Sequence, residues 1–184
     1  MPSRPEILFP LFGQLTQFTG IGPKIAINLS KLNINSPRDL LFTLPHSLLI
    51  RNKIETVLDA INNDIIIIEI IVDEHLENQQ KNRPYKINVS DAKASFQLVF
   101  FHARKNWLWN LFPIGEKVLI SGKLEYFDGK AQITHPDYVF KPGNEEQIPT
   151  LEPIYSLSAG VTQKMLSKAT RQALNLLPMI NEWI

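Results

Sequence analysis

Phe101, Arg104 and Lys105 form the most informative group of side chains in this sequence. An aromatic ring that faces outward can stack on a nucleic-acid base, and cations beside it can contact phosphates. The alternative is that Phe101 packs under a loop or against a neighbouring domain. The three residues together predict a base-stacking and phosphate-contacting site.

A β-strand is expected to present Phe101, because residues 95–101 alternate with a period of two. Neighbouring residues of a strand face opposite ways, so Phe101 must leave the core if Phe100 enters it. Beyond the strand the apolar residues take helical spacing, which predicts a helix over residues 105–112. The core face of the strand carries three apolar side chains, Phe96, Leu98 and Phe100.

A second candidate site is the glycine-containing run at residues 20–24, which precedes a predicted helix over residues 23–32. Gly20 and Gly22 permit a tight turn, and the proline that follows suits the first turn of a helix. Free backbone N–H groups at a helix N-terminus attract phosphate, and Lys24 adds positive charge. The run resembles the hairpin of helix-hairpin-helix DNA-binding motifs. The alternative is an ordinary glycine–proline helix start that only packs on its neighbour.

The middle of the chain predicts a small barrel. Five strands are expected, at residues 64–77, 83–90, 95–101, 116–127 and 130–134, with one helix between the third and the fourth. This is the order of an OB-fold, which commonly binds oligonucleotides, although it can also serve only as a packing module. Gly122 is expected at a bulge or a sharp bend. Lys123 and Lys130, on the last two strands, are further candidates for phosphate contacts.

The predicted fold class is mainly β with flanking α. Residues 1–53 form a helical segment that carries the Gly20–Lys24 turn, and residues 54–140 form the five-stranded OB-fold barrel. Residues 141–184 form a linker and an amphipathic helix. The apolar residues beyond that helix suggest a chain that ends before a further domain.

The net charge of +1 favours no class of partner, but its distribution is uneven. Residues 1–55 carry +3, residues 56–80 carry −6, residues 81–143 carry +5 and residues 144–184 carry −1. The excess positive charge therefore coincides with the two candidate sites.

Several classes of protein are disfavoured by what the sequence lacks. It has no cysteine, and its four histidines lack metal-ligand spacing and are expected at the surface or in turns. Neither a Walker A nor a dinucleotide-binding motif is present, and no catalytic constellation can be defended. The N-terminus is not a signal peptide, and the longest apolar run, Ile65–Ile68, is too short to span a bilayer. A soluble, cytoplasmic binding protein without a membrane partner is expected.

The motifs, taken in order, resemble the N-terminal part of the RecG family of bacterial branched-DNA helicases. Each motif is weak alone, but together they cover nearly the whole chain in the family's order. Single matching residues are Leu15 and Arg51, and the longer pieces are GIGPK (Gly20–Lys24), SPRDLLFTLP (Ser36–Pro45), LVFFHARKNW (Leu98–Trp107), GEKVLISGKLE (Gly115–Glu125), HPDY (His135–Tyr138), PIYSL (Pro153–Leu157) and TQKMLSKAT (Thr162–Thr170).

The resemblance implies an OB-fold wedge at the branch point of a replication fork or Holliday junction, acting in recombination and repair. In that family, aromatic residues at the end of the third strand stack on the bases where the strands part. By position this role falls to Phe101, within a segment that continues to Trp107. The family commonly has a second aromatic residue about four positions after the first, where this sequence has Lys105. Trp107 is the candidate for that second ring.

The ATP-dependent motor of the family has no counterpart in this sequence, so helicase activity is not implied for it. ATP and Mg²⁺ would belong to that motor, and no cofactor is expected here. The predicted function is binding of branched or single-stranded DNA without catalysis, and a separate motor chain is a candidate partner. A truncated or split gene, or a separately expressed domain, would account for the missing motor. The competing prediction is a structural or protein-interaction OB module that no longer binds DNA in this form.

Overall fold

The computed structural model describes residues 5–76, 83–102 and 104–179. The α-helices in these ranges are α1 (Pro23–Ser30), α2 (Pro37–Phe42), α3 (Lys105–Leu111) and α4 (Gln163–Leu174). The strands are β1 (Ser47–Ile50), β2 (Asn52–Lys53), β3 (Ile65–Leu76), β4 (Tyr85–Ser90), β5 (Ser95–Phe100), β6 (Lys117–Phe127), β7 (Lys130–Thr134), β8 (Tyr138–Phe140) and β9 (Leu151–Ile154).

The chain folds into two units. The residues up to Leu48 and those from Pro153 onward form one, here called the helical unit. Residues 49–152 form the other, here called the barrel unit. The helical unit therefore combines two segments that the sequence predicts as separate, one from each side of the barrel in chain order.

The helices of the helical unit begin at residues suited to that position. Pro23 and Pro37 each occupy the first turn of a helix, where a missing N–H is tolerated. The carboxylate of Asp39 accepts one hydrogen bond from the backbone N–H of Ser36, and the hydroxyl of Thr162 accepts one from the backbone N–H of Met165. These caps satisfy backbone donors that a helix end otherwise leaves unpaired.

The core of the helical unit contains side chains from both ends of the sequence. The first part contributes buried residues such as Leu29 and Leu40, and α4 contributes Leu166, Ala169 and Ala173. Amphipathic helices gain most of their stability from such tertiary packing. The C-terminal helix therefore belongs to the core of this unit.

The barrel unit has the strand order of an OB-fold. The sheet runs β2-β3-β4-β5-β7-β6-β8, and an additional pairing of β3 with β6 closes β3 to β7 into a five-stranded barrel. The β5–β7 pair is parallel, and the other four pairs of the closed barrel are antiparallel. Helix α3 lies between the third and fourth barrel strands in the sequence. The predicted fold class and the predicted order of elements are confirmed.

Gly122 serves a different purpose from the predicted bulge. Its pairing with Ile66 lies within an unbroken register between β6 and β3. A Cβ atom at Gly122 would lie 2.5 Å from Cγ2 of Ile133 and 3.3 Å from Cα of Pro136. Glycine is required there because β7 and the turn after it approach the backbone of β6 closely.

Asp91 ties the connection between β4 and β5 to another part of the barrel unit. Its carboxylate accepts backbone hydrogen bonds from Lys93, Ala94 and Val57, each at 2.8 Å. Burial by itself raises the pKa of Asp91, but the hydrogen bonds from these three N–H groups and from the Thr56 hydroxyl outweigh it and leave the pKa below the ordinary value of 3.8. The ionised carboxylate is therefore the form that the fold stabilises.

Arg51 anchors the segment that follows β7. Its buried guanidinium lies 2.8 Å from the carboxylate of Glu152 and 3.7 Å from that of Asp137. It also lies over the ring of Tyr138, 5.0 Å from the ring centroid. Partial burial raises the pKa of Asp137; Arg51 opposes that effect and Glu152 reinforces it. The turn between β7 and β8 is thus held by a buried cation.

Candidate nucleic-acid interface

Phe100 and Phe101 lie on opposite sides of the barrel wall. Phe100 is 3% exposed, and its ring centroid lies 5.6 Å from that of Phe112 inside the barrel. Phe101 follows the last residue of β5 and is 48% exposed. The predicted opposite environments of Phe100 and Phe101 are confirmed, whereas Val99, which alternation places on the same side as Phe101, is only 3% exposed.

His135 holds the backbone of Phe101 in place. The N–H of Phe101 donates to Nε2 of His135 at 3.0 Å, and the N–H of His135 donates to the carbonyl of Val99 at 3.0 Å. The rings of Phe101 and His135 are 5.9 Å apart at 37°. The exposed aromatic residue therefore lies on a fixed turn.

Helix α3 begins four residues after Phe101 and carries the candidate cations. Arg104 is the N-cap and Lys105 the first helical residue, and both are exposed. Leu108 and Phe112 are fully buried in the barrel core, which fixes the orientation of the helix. Trp107, the candidate for a second stacking ring, is 54% exposed.

An aromatic cluster that the sequence does not predict lies beside α3. His75 is only 7% exposed, so its predicted surface position is wrong. Its Nε2–H donates to the carbonyl of Phe112 at 2.7 Å, which leaves Nδ1 to accept from the hydroxyl of Tyr85 at 2.8 Å. The ring of Trp109 stacks on this imidazole at 4.2 Å and 13°, and Trp109 remains 37% exposed.

The reason for the error is a break in the register of β3. The pairing with β4 shifts between Val72 and Glu74, so strict alternation is lost at that point. Alternation from Val72 would bury Glu74 and expose His75, whereas the shift buries His75 instead. No residue type in the sequence marks that shift.

The strand register places Lys123 and Lys130, on the last two barrel strands, at different ends of the barrel. Leu124 pairs with Ile133, and Val99 pairs with Thr134. Lys123 is therefore level with the end of β5, about two strand spacings or roughly 10 Å away. Its Nζ, however, lies 3.1 Å from the carboxylate of Glu125. Lys130 begins β7, four residues or about 13 Å before Thr134, so it lies toward the opposite end from Phe101.

The outer face of β4 and β5 is occupied by its own hydrogen bonds. Nζ of Lys86 donates to Oε1 of Gln97 at 3.2 Å, and Nε2 of Gln97 donates to Oδ1 of Asn88 at 3.0 Å. A ligand on this face would have to replace these bonds. The end of β5 is therefore the better candidate surface of the barrel unit.

The glycine turn lies in the helical unit and has the predicted local form. Gly20 has φ +92°, and Gly22 is the N-cap of α1. Lys24 is exposed in the first turn, while Ile21 is buried and anchors the loop. A Cβ atom at either glycine would meet nothing within 4 Å, so the loop is open on its outer side. Phosphate binding by this turn stays a prediction.

The model of one protein family, the RecG wedge domain, matches residues 15–177 of this chain. The chain belongs to the RecG wedge family. The ATP-dependent DNA helicase RecG of Haemophilus influenzae is 32% identical over 169 residues, which cover 90% of this chain and 24% of that protein. RecG of Escherichia coli strain K12 is 30% identical over 172 residues, which cover 89% of this chain and 24% of that protein.

A solved structure supports the same RecG fold. The structure of RecG bound to a three-way DNA junction matches with a TM-score of 0.69 and 21% sequence identity. The match covers 88% of this chain and 22% of that one. The chain thus spans about a quarter of the length of the RecG proteins that it matches.

Two motifs of the RecG resemblance meet in the barrel unit. Arg51 contacts Asp137 and Tyr138, which belong to the HPDY segment. The first residue of that segment is His135, which contacts Phe101. The fold therefore connects a buried structural arginine to the exposed aromatic residue through one short turn.

Neither a metal site nor a membrane helix is found where the structure describes the chain. No three His, Asp or Glu side chains within residues 5–76, 83–102 and 104–179 are placed to hold a metal ion. In the same ranges, no helix has the length and apolar character needed to cross a bilayer.

Proposed function

We propose that this chain is the DNA-binding wedge portion of a RecG-like branched-DNA helicase. The observation that carries the proposal is the half-exposed ring of Phe101 at the end of β5, held by His135 and followed by the exposed Arg104 and Lys105. A fixed aromatic ring can replace the stacking that a base loses where two strands part. The cations can hold the adjacent phosphates without reading sequence.

In the mechanism that we propose, this chain holds the DNA at the branch point and does not itself drive strand separation. Phe101 covers the last base pair or the first unpaired base at a branch point, and Trp107 is the candidate for a second stack. Arg104, Lys105 and the Gly20–Lys24 turn contact phosphates. Lys123 and Lys130 are weaker candidates because of the ion pair with Glu125 and the distance from Phe101.

Strand separation driven by ATP would require the motor of a RecG helicase as a partner. This sequence contains no Walker A motif to hold a triphosphate. We propose that ATP and Mg²⁺ act in that partner, while the present chain sets where the strands are parted.

Fluorescence anisotropy tests the proposal with three labelled DNAs of matched sequence, a fork, a single strand and a blunt duplex. Binding should be tighter for the fork and the single strand than for the duplex, because only they offer unpaired bases. The logarithm of affinity should fall linearly with the logarithm of salt concentration between about 50 and 200 mM. A flat salt dependence without fork preference would favour the competing reading, a structural or protein-interaction module.

A further inference from the structure

Phe101 is the first residue beyond the hydrogen-bond ladders of β5. The β4–β5 pairing ends with Tyr85 opposite Phe100, and the β5–β7 pairing ends with Val99 opposite Thr134. The N–H of Phe101 instead donates to Nε2 of His135. A side chain thus provides the bond that a neighbouring strand provides elsewhere.

We infer that His135 is a positioning residue for DNA binding, which holds Phe101 in the orientation that stacks on an unpaired base. This inference rests on the proposed function, because it assigns to His135 a part in the same site. An aromatic residue on a free loop loses conformational entropy when a base orders it, and prior fixation avoids that cost.

The geometry of His135 fits this role at three points. Its own N–H donates to the carbonyl of Val99, so the two chain segments are joined in both directions. Its imidazole meets the buried ring of Phe100 edge-on at 5.7 Å and 87°. It contacts the exposed ring of Phe101 at 5.9 Å. The imidazole therefore lies between the core ring and the exposed ring.

The hydrogen-bonding role of Nε2 of His135 follows from its partner. A backbone N–H can only donate, so Nε2 of His135 must offer its lone pair. A substitute for His135 needs an acceptor at the same distance from the backbone. The amide oxygen of glutamine reaches about as far as Nε2, whereas that of asparagine reaches only about as far as Nδ1.

The turn that carries His135 has supports that do not involve the imidazole. The N–H of Asp137 donates to the carbonyl of Ser121 at 2.8 Å, and Arg51 holds Asp137 and Tyr138. We therefore expect variants at His135 to keep the barrel folded. The φ of His135 is +47°, a value that glycine and asparagine adopt more readily than glutamine.

The reach of the acceptor and the preference of the backbone lead to opposite expectations for three variants of His135. His135→Asn and His135→Gly suit the backbone but lose the acceptor, whereas His135→Gln keeps the acceptor on a less suitable backbone. Positioning predicts that the Asn and Gly variants weaken fork and single-strand binding by about 3- to 10-fold, part of the roughly 5- to 150-fold that a lost stack costs. Duplex affinity and the salt slope should stay unchanged, and the Gln variant should restore most of the affinity. A merely structural turn would predict the reverse order.

A measurement without DNA separates this inference from the proposed function. Amide hydrogen exchange of Phe101 should be slow in the unmodified chain and in His135→Gln, and fast in His135→Asn. In a Phe101→Ala background, His135→Asn should have no further effect on DNA binding.

Three combinations of results distinguish the positioning role of His135 from the proposed function. If Phe101→Ala weakens fork binding and His135→Asn changes neither exchange nor affinity, the positioning role is wrong while the proposed function stands. If Phe101→Ala leaves fork affinity unchanged, Phe101 is not the stacking residue and the positioning role fails with it, whatever the exchange rates show. Fork preference and salt dependence of the unmodified chain then still decide whether the proposed DNA binding stands. Slow exchange, lost affinity in the Asn variant and rescue by the Gln variant would support both.

Discussion

Phe100 and Phe101 are adjacent in the sequence and opposite in environment. Phe100 is 3% exposed among the barrel side chains, and Phe101 is 48% exposed. Deleting the first ring removes fully buried apolar surface, whereas deleting the second removes a ring that the protein covers only by about half. The pair therefore allows packing and binding to be tested one residue apart.

Phe101→Ala should cost about 1–3 kcal/mol of binding free energy on DNA with an unpaired base, and leave the melting temperature nearly unchanged. Phe100→Ala should cost about 3–5 kcal/mol of folding free energy, because it opens a cavity in the barrel. Thermal melts beside anisotropy measure both effects.

The matched control for this pair is Phe127→Ala, which removes another exposed aromatic ring at the hairpin between β6 and β7. Phe127→Ala should change neither the binding free energy nor the melting temperature. Unfolding caused by Phe101→Ala, with Phe100→Ala tolerated, would reverse the strand register and remove Phe101 from the site.

The connection between β4 and β5 depends on a single carboxylate. Asp91 satisfies three backbone N–H groups, and one of them, that of Val57, lies 34 positions earlier in the chain. Since a buried N–H without a partner is costly, the geometry of β4 and β5 relies on this residue being ionised. Strand β5, which ends one residue before Phe101, starts immediately after this connection.

Asp91→Asn should lower the free energy of unfolding by about 1–2 kcal/mol at neutral pH, because an amide has a single acceptor oxygen. That oxygen can replace only one of the two carboxylate oxygens, of which Oδ1 accepts from Lys93 and Ala94 and Oδ2 accepts from Val57. The pKa of Asp91 is lowered in the folded state, so its contribution is complete above its ordinary value of 3.8 and is lost as the pH falls through the lowered value. The stability difference between the two proteins should therefore shrink in acid.

Urea unfolding at several pH values, followed by tryptophan fluorescence, measures this difference, because Trp107 and Trp109 both lie in the barrel unit. Asp73→Asn is the control, since that carboxylate accepts a single exposed hydrogen bond from the hydroxyl of Ser90. A difference for Asp91→Asn that stays constant down to strongly acidic pH would show that the charge of the carboxylate is not what the connection needs.

The candidate phosphate contacts are distributed over both units of the molecule. Lys24 lies in the helical unit, and the cations near Phe101 lie in the barrel unit. The slope of the logarithm of affinity against the logarithm of salt concentration reports the number of phosphate contacts, whichever unit makes them. It therefore tests whether both units engage the same DNA.

Lys24→Ala, Arg104→Ala and Lys105→Ala should each weaken all DNA forms to a similar degree and reduce the salt slope by about one. A smaller effect is expected for Lys123, which is paired with Glu125, and for Lys130, which lies toward the other end of the barrel. Anisotropy across a salt series gives each slope.

Lys117→Ala provides the control for this series, because Nζ of Lys117 already lies 2.7 Å from the carboxylate of Glu69. Its slope should equal that of the unmodified chain. A reduction of the salt slope in Lys117→Ala as large as that in Arg104→Ala would mean that the slope reports net charge instead of specific contacts.

The sequence by itself determined the barrel and the position of Phe101 on it. Local patterns in the sequence predict the five barrel strands, their order along the chain and the helix between the third and the fourth, and each has its counterpart in the structure. Alternation also predicts the opposite environments of Phe100 and Phe101, which the structure shows. It does not predict that Val99, on the same side of β5 as Phe101, is buried.

The tertiary structure decided what the local pattern does not contain. The shift in β3 buries His75 beneath Trp109, the turn after β7 brings His135 to Phe101, and the core of the helical unit joins α4 to residues more than 100 positions earlier. These contacts link residues far apart in the chain, and a contact of that kind depends on how the elements pack. Periodicity and turn residues describe one element at a time, so they do not show which elements contact each other.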